Sequence, residues 1–145
     1  MTVERRATGL PTRAPNRAFD TEAFWDALAA GRWVVPHCDA CGEYFWYPRR
    51  VCPLCGTWGA VSYPDASGRG TIYSFTILRK GQGPFRDNAP YVLAYVELDE
   101  GPRVLTNIVG CDPADVRIGQ PVVADFATSG RDDGEAFAVP RFRPA

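Results

Sequence analysis

Two matching Cys-x-x-Cys-Gly motifs constrain this chain of 145 residues more than any other feature. The first motif begins at Cys38 and the second at Cys52, and ten residues separate the two cysteine pairs. Two such pairs joined by a short hairpin bring four thiolates together in the arrangement that tetrahedral zinc requires. The spacing therefore predicts a zinc ribbon. Its predicted ligands are Cys38, Cys41, Cys52 and Cys55.

A site of four thiolates leaves no coordination position for water or substrate, so the predicted Zn²⁺ is structural rather than catalytic. Gly42 and Gly56 follow the second cysteine of each pair, where a left-handed residue lets backbone N–H groups point toward the sulfurs. Disulfides, a redox pair or a rubredoxin-like iron centre are the alternatives that the ligands allow. A reducing compartment argues against disulfides.

The charge and the apolar pattern of the chain argue against nucleic acid and membranes as partners. The formal net charge is −1, so no excess of cations exists to neutralise phosphates or to attract an anionic membrane. No apolar run approaches the roughly 20 residues that span a bilayer, and the amino terminus lacks the apolar core of a secretory signal. We therefore expect a cytoplasmic protein for which nucleic acid is a disfavoured ligand.

The sequence divides into three regions. Residues 1–36 comprise an arm without apolar periodicity, to about Asn16, and a short helix in which Phe24, Trp25, Leu28 and Ala29 recur at helical spacing. The helix is predicted to start at Asp20 or Thr21 and to stop at Gly31. Its apolar face must pack against the ribbon or another subunit. Residues 37–60 form the zinc ribbon, and residues 61–145 form the last domain.

The last domain is rich in β-branched and aromatic runs separated by turn residues. The predicted strands are Gly70–Leu78, Tyr91–Leu98, Val104–Val109, Val122–Phe126 and Ala136–Val139. Asp112 is placed to cap a single helical turn after the third strand. Five short strands with one interposed helical turn favour a closed OB-fold barrel over a fragment of a β-sandwich, which would leave long edges exposed. The predicted fold class is mostly β: an N-terminal helix, a rubredoxin-like zinc ribbon and a five-stranded OB-fold barrel.

A series of short motifs from about Thr21 to Pro144 matches one known family in order and spacing. They are Phe24-Trp25, Gly31, the two cysteine motifs, Pro48-Arg49, Gly68-x-Gly70, Ile72 to Thr76, Pro90-Tyr91, Val96-x-Leu98, Asp99 to Gly101, Ile118-Gly119 and Pro140-x-Phe142-x-Pro144. The chain resembles the zinc-ribbon and OB-fold family once called domain of unknown function 35. The resemblance implies an acyl-CoA-associated accessory subunit of thiolase-fold enzymes, such as the aldolases that shorten steroid side chains.

The residues themselves offer little for catalysis by the chain alone. His37, the single histidine, directly precedes a predicted zinc ligand and has no evident orienting partner or pocket. Cys111 is the fifth cysteine and lacks a nearby base, so we expect an ordinary buried or half-buried residue. The chain is therefore predicted to contribute no catalytic residue, and any lyase chemistry to reside in its partner.

Two stretches are candidate binding surfaces. A loop between two predicted strands places three cations beside an aromatic residue, which suits the phosphates and adenine of coenzyme A as well as a merely solvated loop. The candidate coenzyme A residues are Arg79, Lys80, Phe85 and Arg86. Aromatic residues of the helix and the ribbon form the second candidate, a surface for the enzyme partner. They are Phe24, Trp25, Tyr44, Phe45, Trp46 and Tyr47.

The predicted function is a non-catalytic subunit of a hetero-oligomer in lipid metabolism, whose thiolase-fold partner cleaves a steroid side-chain β-hydroxyacyl-CoA by retro-aldol chemistry. Three alternatives stay open. The partner is instead an acyl-CoA thiolase or acyltransferase, the chain binds single-stranded nucleic acid through its aromatics and cations, or it is a thioester hydrolase in its own right. The acyl group, the stoichiometry and any direct contact with coenzyme A are beyond what the sequence specifies.

Overall fold

The structure is a computed structural model that describes residues 10–130 and 136–145. Residues 1–9, which the sequence assigns to the arm, lie outside the described residues. Among the described residues, no helix has the length and apolar character needed to cross a bilayer.

The helix predicted around Phe24 forms as α1 (Glu22–Ala29). Thr21 is its N-cap residue, and Gly31, at a φ of +82°, ends it with an N–H donated to the Leu28 carbonyl. A residue in the left-handed region cannot continue a right-handed helix, and glycine adopts that φ without strain, so the helix ends there. Phe24 and Leu28 are fully buried in the core of the same chain. The apolar face of α1 is therefore covered without a second subunit.

The zinc ribbon is built from very short strands. β1 (His37–Cys38) pairs antiparallel with β2 (Val61–Ser62), and single bridges join His37 to Tyr44 and Val51 to Trp58. So little backbone pairing cannot hold a segment of this length, because a two-stranded ribbon is marginally stable at best in water. The ribbon therefore depends on its packing against the rest of the chain and on its cysteine cluster.

Five strands form a closed barrel: β3 (Arg69–Leu78), β4 (Tyr91–Leu98), β5 (Arg103–Ile108), β6 (Pro121–Ala124) and β9 (Phe142–Pro144). Their order around the barrel is β3-β4-β5-β9-β6. β5 and β9 run parallel and the other neighbours run antiparallel, which is the OB arrangement. A 3₁₀ turn, Pro113–Asp115, follows β5, and its N-terminus is capped by the Asp112 side chain at 2.9 Å from the Ala114 N. The predicted fold class is confirmed.

One predicted strand is present but does not belong to the barrel. Ala136–Val139 is indeed a strand, β8, but it pairs with β7 (Ala127–Gly130) in a separate hairpin that packs against α1. Pro140 directly follows β8 and has no N–H to donate to a continued ladder. The barrel is closed instead by β9, three residues that begin at Phe142. The sequence prediction did not include β9 as a strand.

The core is one hydrophobic cluster shared by the helix, the segment before the ribbon and the barrel. Trp33, 2% exposed, lies at its centre and meets Phe142 edge to face at a ring separation of 5.4 Å. Along β4 and β5 buried residues alternate with exposed ones, so each strand fills the barrel with one face and presents the other outward. The division into residues 1–36, 37–60 and 61–145 stays a prediction.

Candidate metal centre and surface patches

The four predicted cysteine ligands converge at the tips of the two ribbon turns, and all four sulfurs lie within 4.8 Å of one another. Cys38 Sγ is 3.7 Å from Cys55 Sγ, and Cys41 Sγ is 3.8 Å from Cys52 Sγ. These cysteines are not disulfide-bonded. A tetrahedron with Zn–S bonds of about 2.3 Å has edges of about 3.8 Å, so the cluster fits one zinc ion.

The two turns have the same backbone, because the sequence motif is repeated. In each turn the first cysteine N–H donates to a carbonyl five residues on, and the glycine N–H donates back to that cysteine's carbonyl. Gly42 and Gly56 adopt φ values of +78° and +76°, as predicted for residues in the left-handed region. Leu54 N lies 3.4 Å from Cys52 Sγ, so a backbone amide stabilises thiolate charge.

The pKa values of the cysteine thiols also favour binding of a cation by the cluster. Hydrogen bonding to the side chain and backbone of Thr57 lowers the pKa of Cys55 to about 6. At Cys41 the backbone amide of Glu43 favours the thiolate, but desolvation and the neighbouring thiols together raise its pKa to about 12. Four thiols this close cannot all ionise unaided, because like charges repel. A bound divalent ion removes that conflict, since it coordinates deprotonated sulfur.

His37 is placed in a structural role. Contrary to the sequence-based expectation, it has an orienting partner, because its Nδ1 lies 2.8 Å from Asp39 Oδ1. Ser62 Oγ donates to the same carboxylate oxygen at 2.7 Å. The bonds to Ser62 and then His37 lower the pKa of Asp39. His37 also meets the Tyr44 ring edge to face. The histidine thus ties the first turn of the ribbon to β2, and these contacts give it an anchoring position beside the metal centre.

An exposed apolar cluster lies beside the second turn of the ribbon. Trp58 and Phe19 are each 67% exposed and line the same small surface pocket, while Val51 pairs directly with Trp58. Arg50 stacks over the Phe19 ring at 3.6 Å and donates two hydrogen bonds to the Phe19 carbonyl. We call Phe19, Arg50, Val51 and Trp58 the ribbon patch. The sequence prediction missed it.

The repeat in the ribbon offers a signal that finds this patch. Trp58 follows the second turn at the position that Tyr44 occupies after the first, and both make a single bridge to the residue before their first cysteine. Tyr44 is packed against the core, whereas Trp58 faces solvent. Tyr44 and Trp58 occupy equivalent positions, but the core covers only one of them. The repeat therefore indicates that one of the two aromatic residues is exposed.

The predicted partner residues divide between the core and the surface. Phe24 and Phe45 are buried within the chain, whereas Tyr47 is 44% exposed. Trp25, Tyr44 and Trp46 are half-buried and pack against the core cluster. The role of these aromatics in a partner interface stays a prediction.

The predicted coenzyme A residues lie around the loop between β3 and β4. Arg79 and Lys80 are exposed directly after β3, and Arg86 is exposed on the 3₁₀ helix Gly83–Asn88. Phe85 is half-buried, contacts the Tyr91 ring in a tilted geometry at a centroid separation of 5.2 Å, and lines a cavity on the barrel. The contact of these residues with coenzyme A stays a prediction. Cys111 is half-buried, and burial raises the pKa of its thiol.

A rubredoxin-like ribbon with four clustered sulfurs joined to a closed OB barrel defines a zinc-ribbon and OB-fold protein. Comparison with family models agrees for both halves. Residues 25–58 match the model described as "ChsH2, rubredoxin-like zinc ribbon domain". Residues 63–127 match the model described as "ChsH2, C-terminal OB-fold domain". The chain belongs to this ChsH2-type family, also called DUF35.

Two curated relatives and one solved structure bear on function. A "DUF35 domain-containing scaffold protein" from Methanothermobacter thermautotrophicus is 41% identical over 110 residues, which cover 74% of this chain and 82% of that protein. The "3-oxo-4,17-pregnadiene-20-carboxyl-CoA hydratase alpha subunit" of Mycobacterium tuberculosis is 36% identical over 116 residues, 77% of this chain. The match spans only 35% of that relative's length.

The solved structure is described as "Ltp2-ChsH2(DUF35) aldolase". The matched chain is 34% identical, with a TM-score of 0.77, and the match covers 90% of this chain and 98% of the other. Nearly the whole fold therefore has a counterpart in an aldolase assembly. The similarity extends through both the ribbon and the barrel.

Proposed function

We propose that this chain is a non-catalytic accessory subunit that binds a thiolase-fold enzyme acting on acyl-CoA substrates. The observation that carries the proposal is the ribbon patch, where Trp58 and Phe19 are two-thirds exposed beside a metal-braced turn. Tryptophan and arginine are the residues most enriched at energetic hot spots of interfaces, and Trp58 lies next to Arg50. A rigid turn presents them at little cost in conformational entropy.

The chemistry of the described residues favours a structural role in the complex over a catalytic one. The cysteine cluster is closed, and His37 is engaged by Asp39 and Tyr44. In retro-aldol cleavage of a β-hydroxyacyl-CoA, a base takes the hydroxyl proton and hydrogen-bond donors stabilise the enolate. We assign both tasks to the partner. This chain supplies a rigid surface that fixes the geometry of the partner's loops.

The names of the relatives support a subunit role and an acyl-CoA substrate but differ on the reaction, because the steroid-related relative is named a hydratase subunit and the solved assembly an aldolase. One is named a scaffold protein, one assembly is named an aldolase, and one relative is named for a steroid-type acyl-CoA. We therefore propose cleavage of a steroid side-chain β-hydroxyacyl-CoA as the reaction of the complex. Direct contact with coenzyme A through Phe85 and the neighbouring cations is part of the same proposal.

Replacing Trp58 with alanine tests the interface. The enzyme captured from the native host by the wild-type chain is purified and titrated with each variant by calorimetry. Trp58→Ala is expected to weaken binding about 30-fold or more, because a tryptophan hot spot contributes about 2 kcal/mol or more. Zinc content and thermal unfolding of the variant should match the wild type, since Trp58 is exposed.

Ile118→Ala is the matched control, because Ile118 is as exposed as Trp58 but lies on a barrel turn. It is expected to leave the affinity within about twofold. Equal losses for both variants, or none for Trp58→Ala, would rule out the ribbon patch as the docking surface.

A further inference from the structure

A cavity of about 620 Å³ lies on the outer face of the barrel. Leu93 of β4 and Leu105 of β5 line its floor, and Phe85 from the loop between β3 and β4 lines one side. Arg141, from the connection between β6 and β9, lines another side. OB folds bind their ligands on the face of the second and third strands, between these same two loops. The cavity therefore occupies the general ligand face of the fold.

The remaining wall of this cavity is not part of the barrel. It is formed by Pro11, Thr12 and Arg13, close to the first described residue of the chain. We call residues 10–13 the N-terminal strap. The ligand face is thus partly covered by a segment that is about 130 residues away in sequence from Arg141.

Arg141 fastens the strap to the barrel. Its Nη2 donates to the Pro11 carbonyl at 2.6 Å, and its Nη1 donates to the Leu10 carbonyl at 3.3 Å and to Thr12 Oγ1 at 3.4 Å. The arginine is only 4% exposed. Hydrogen bonds from a charged, buried donor are stronger than those between neutral groups, so these contacts hold the strap firmly.

The half-buried strap packs against the barrel but has no backbone pairing with the described barrel residues. Over the part of the chain that the structure describes, residues 10–15 make no backbone–backbone hydrogen bonds. Pro11 and Pro15 have no N–H to donate in any case. The described hydrogen bonds between strap and barrel therefore converge on the Arg141 side chain.

We propose that the N-terminal strap is a displaceable cover on the ligand face of the barrel, and that Arg141 is its latch. With the latch made, Pro11 to Arg13 wall the cavity. With the latch broken, the strap leaves and the cavity becomes an open groove along β4 and β5. A single side chain thus couples the docking of the N-terminal strap to access to this face, independently of whether the ribbon docks an enzyme.

Limited trypsin digestion of the full chain tests the latch, because Arg13 is exposed but the residues before it line the barrel cavity, so release of the strap should speed cleavage after Arg13. Cleavage of a transiently opened segment tracks the population of the open form. Arg141→Gln is expected to raise the rate of cleavage after Arg13 at least tenfold, measured by mass spectrometry. Cleavage after the exposed Lys80 is the internal reference and should not change.

Arg143→Gln is the matched control. Arg143 lies on the same short segment, but its described partners are Asp125 and Pro144, not the strap. It should leave cleavage after Arg13 within about twofold of the wild type. An equal increase for Arg143→Gln would show that the effect is general loosening, and would overturn the latch.

Pro11→Gly is a second variant, which tests the proposal even if Arg141→Gln destabilises the barrel. The change leaves the barrel and the latch in place but gives the released strap more conformational freedom, so cleavage after Arg13 should rise about threefold. A folded Arg141→Gln chain cleaved like the wild type would overturn the proposal. So would an unfolded Arg141→Gln chain combined with an unchanged rate for Pro11→Gly.

Discussion

Replacing Cys52 with serine is expected to lower bound zinc from one ion per chain to below about 0.2 and to unfold the ribbon. Cys52 is buried and its sulfur lies 3.8 Å from Cys41 Sγ, so a serine there removes one of four ligands from a closed site. Structural zinc in small domains contributes on the order of 10 kcal/mol of apparent binding free energy that is also folding free energy. Elemental analysis and thermal unfolding of the purified variant measure both effects.

Cys111→Ser provides the control for this loss. Cys111 is the one cysteine outside the cluster, half-buried at the end of the segment that follows β5. The variant should retain one zinc per chain and unfold within a few degrees of the wild type. Loss of zinc from Cys111→Ser, or a wild-type chain that folds without metal, would contradict the assignment of a structural zinc site.

Replacing Phe24 with alanine should cost about 3–5 kcal/mol of unfolding free energy, the range seen when a large buried aromatic is truncated. Phe24 is fully buried where α1 meets the ribbon and the barrel, and it contacts Trp25 and Trp46 edge to face at 4.9 and 5.3 Å. Truncation leaves a cavity that these rings cannot fill without moving. Urea unfolding followed by tryptophan fluorescence measures the change.

Phe19→Ala is the appropriate comparison, because the same side chain is removed from an exposed site. Its expected cost is below about 1 kcal/mol, since it loses only a surface contact with Arg50. If Phe24→Ala were no more destabilising than Phe19→Ala, the packing of α1 into the common core would be wrong.

The ribbon and the type of barrel could be predicted because local chemistry specifies them. Cysteine spacing restricts the metal geometry, and the glycines after each pair permit the positive φ that the turns require. Long runs of β-branched and aromatic residues identified β3 and β4 with little ambiguity. Both signals act within a few residues along the chain.

The errors in the strand prediction arise where contacts between residues far apart in the sequence decide the structure. β9 is three residues long and contains Pro144, so it has no strand pattern of its own and exists only because β5 and β6 pair with it. β8 has a strand pattern, but the pattern does not say which sheet it joins. Pairing partners far apart in sequence decided both cases.

The two surface features depended even more on distant contacts. Arg141 lies in an apolar stretch of the sequence, and nothing local shows that its partners are the carbonyls of Leu10 and Pro11. Trp58 is distinguished from Tyr44 only by which one the core covers. A search for equivalent positions in the repeated turns would have found the pair Tyr44 and Trp58 but not which of the two is exposed, and no local signal would have found the latch.

The most direct test of the central claim is a reconstitution assay with a β-hydroxyacyl-CoA substrate. Turnover is measured for the isolated chain, the isolated partner and the complex formed with wild-type or Trp58→Ala chain. We expect no turnover by the isolated chain, full turnover by the wild-type complex, and reduced turnover by the Trp58→Ala mixture at concentrations where the wild type is saturating. Turnover by the isolated chain, or a partner whose rate is indifferent to this chain, would contradict the role of an accessory subunit.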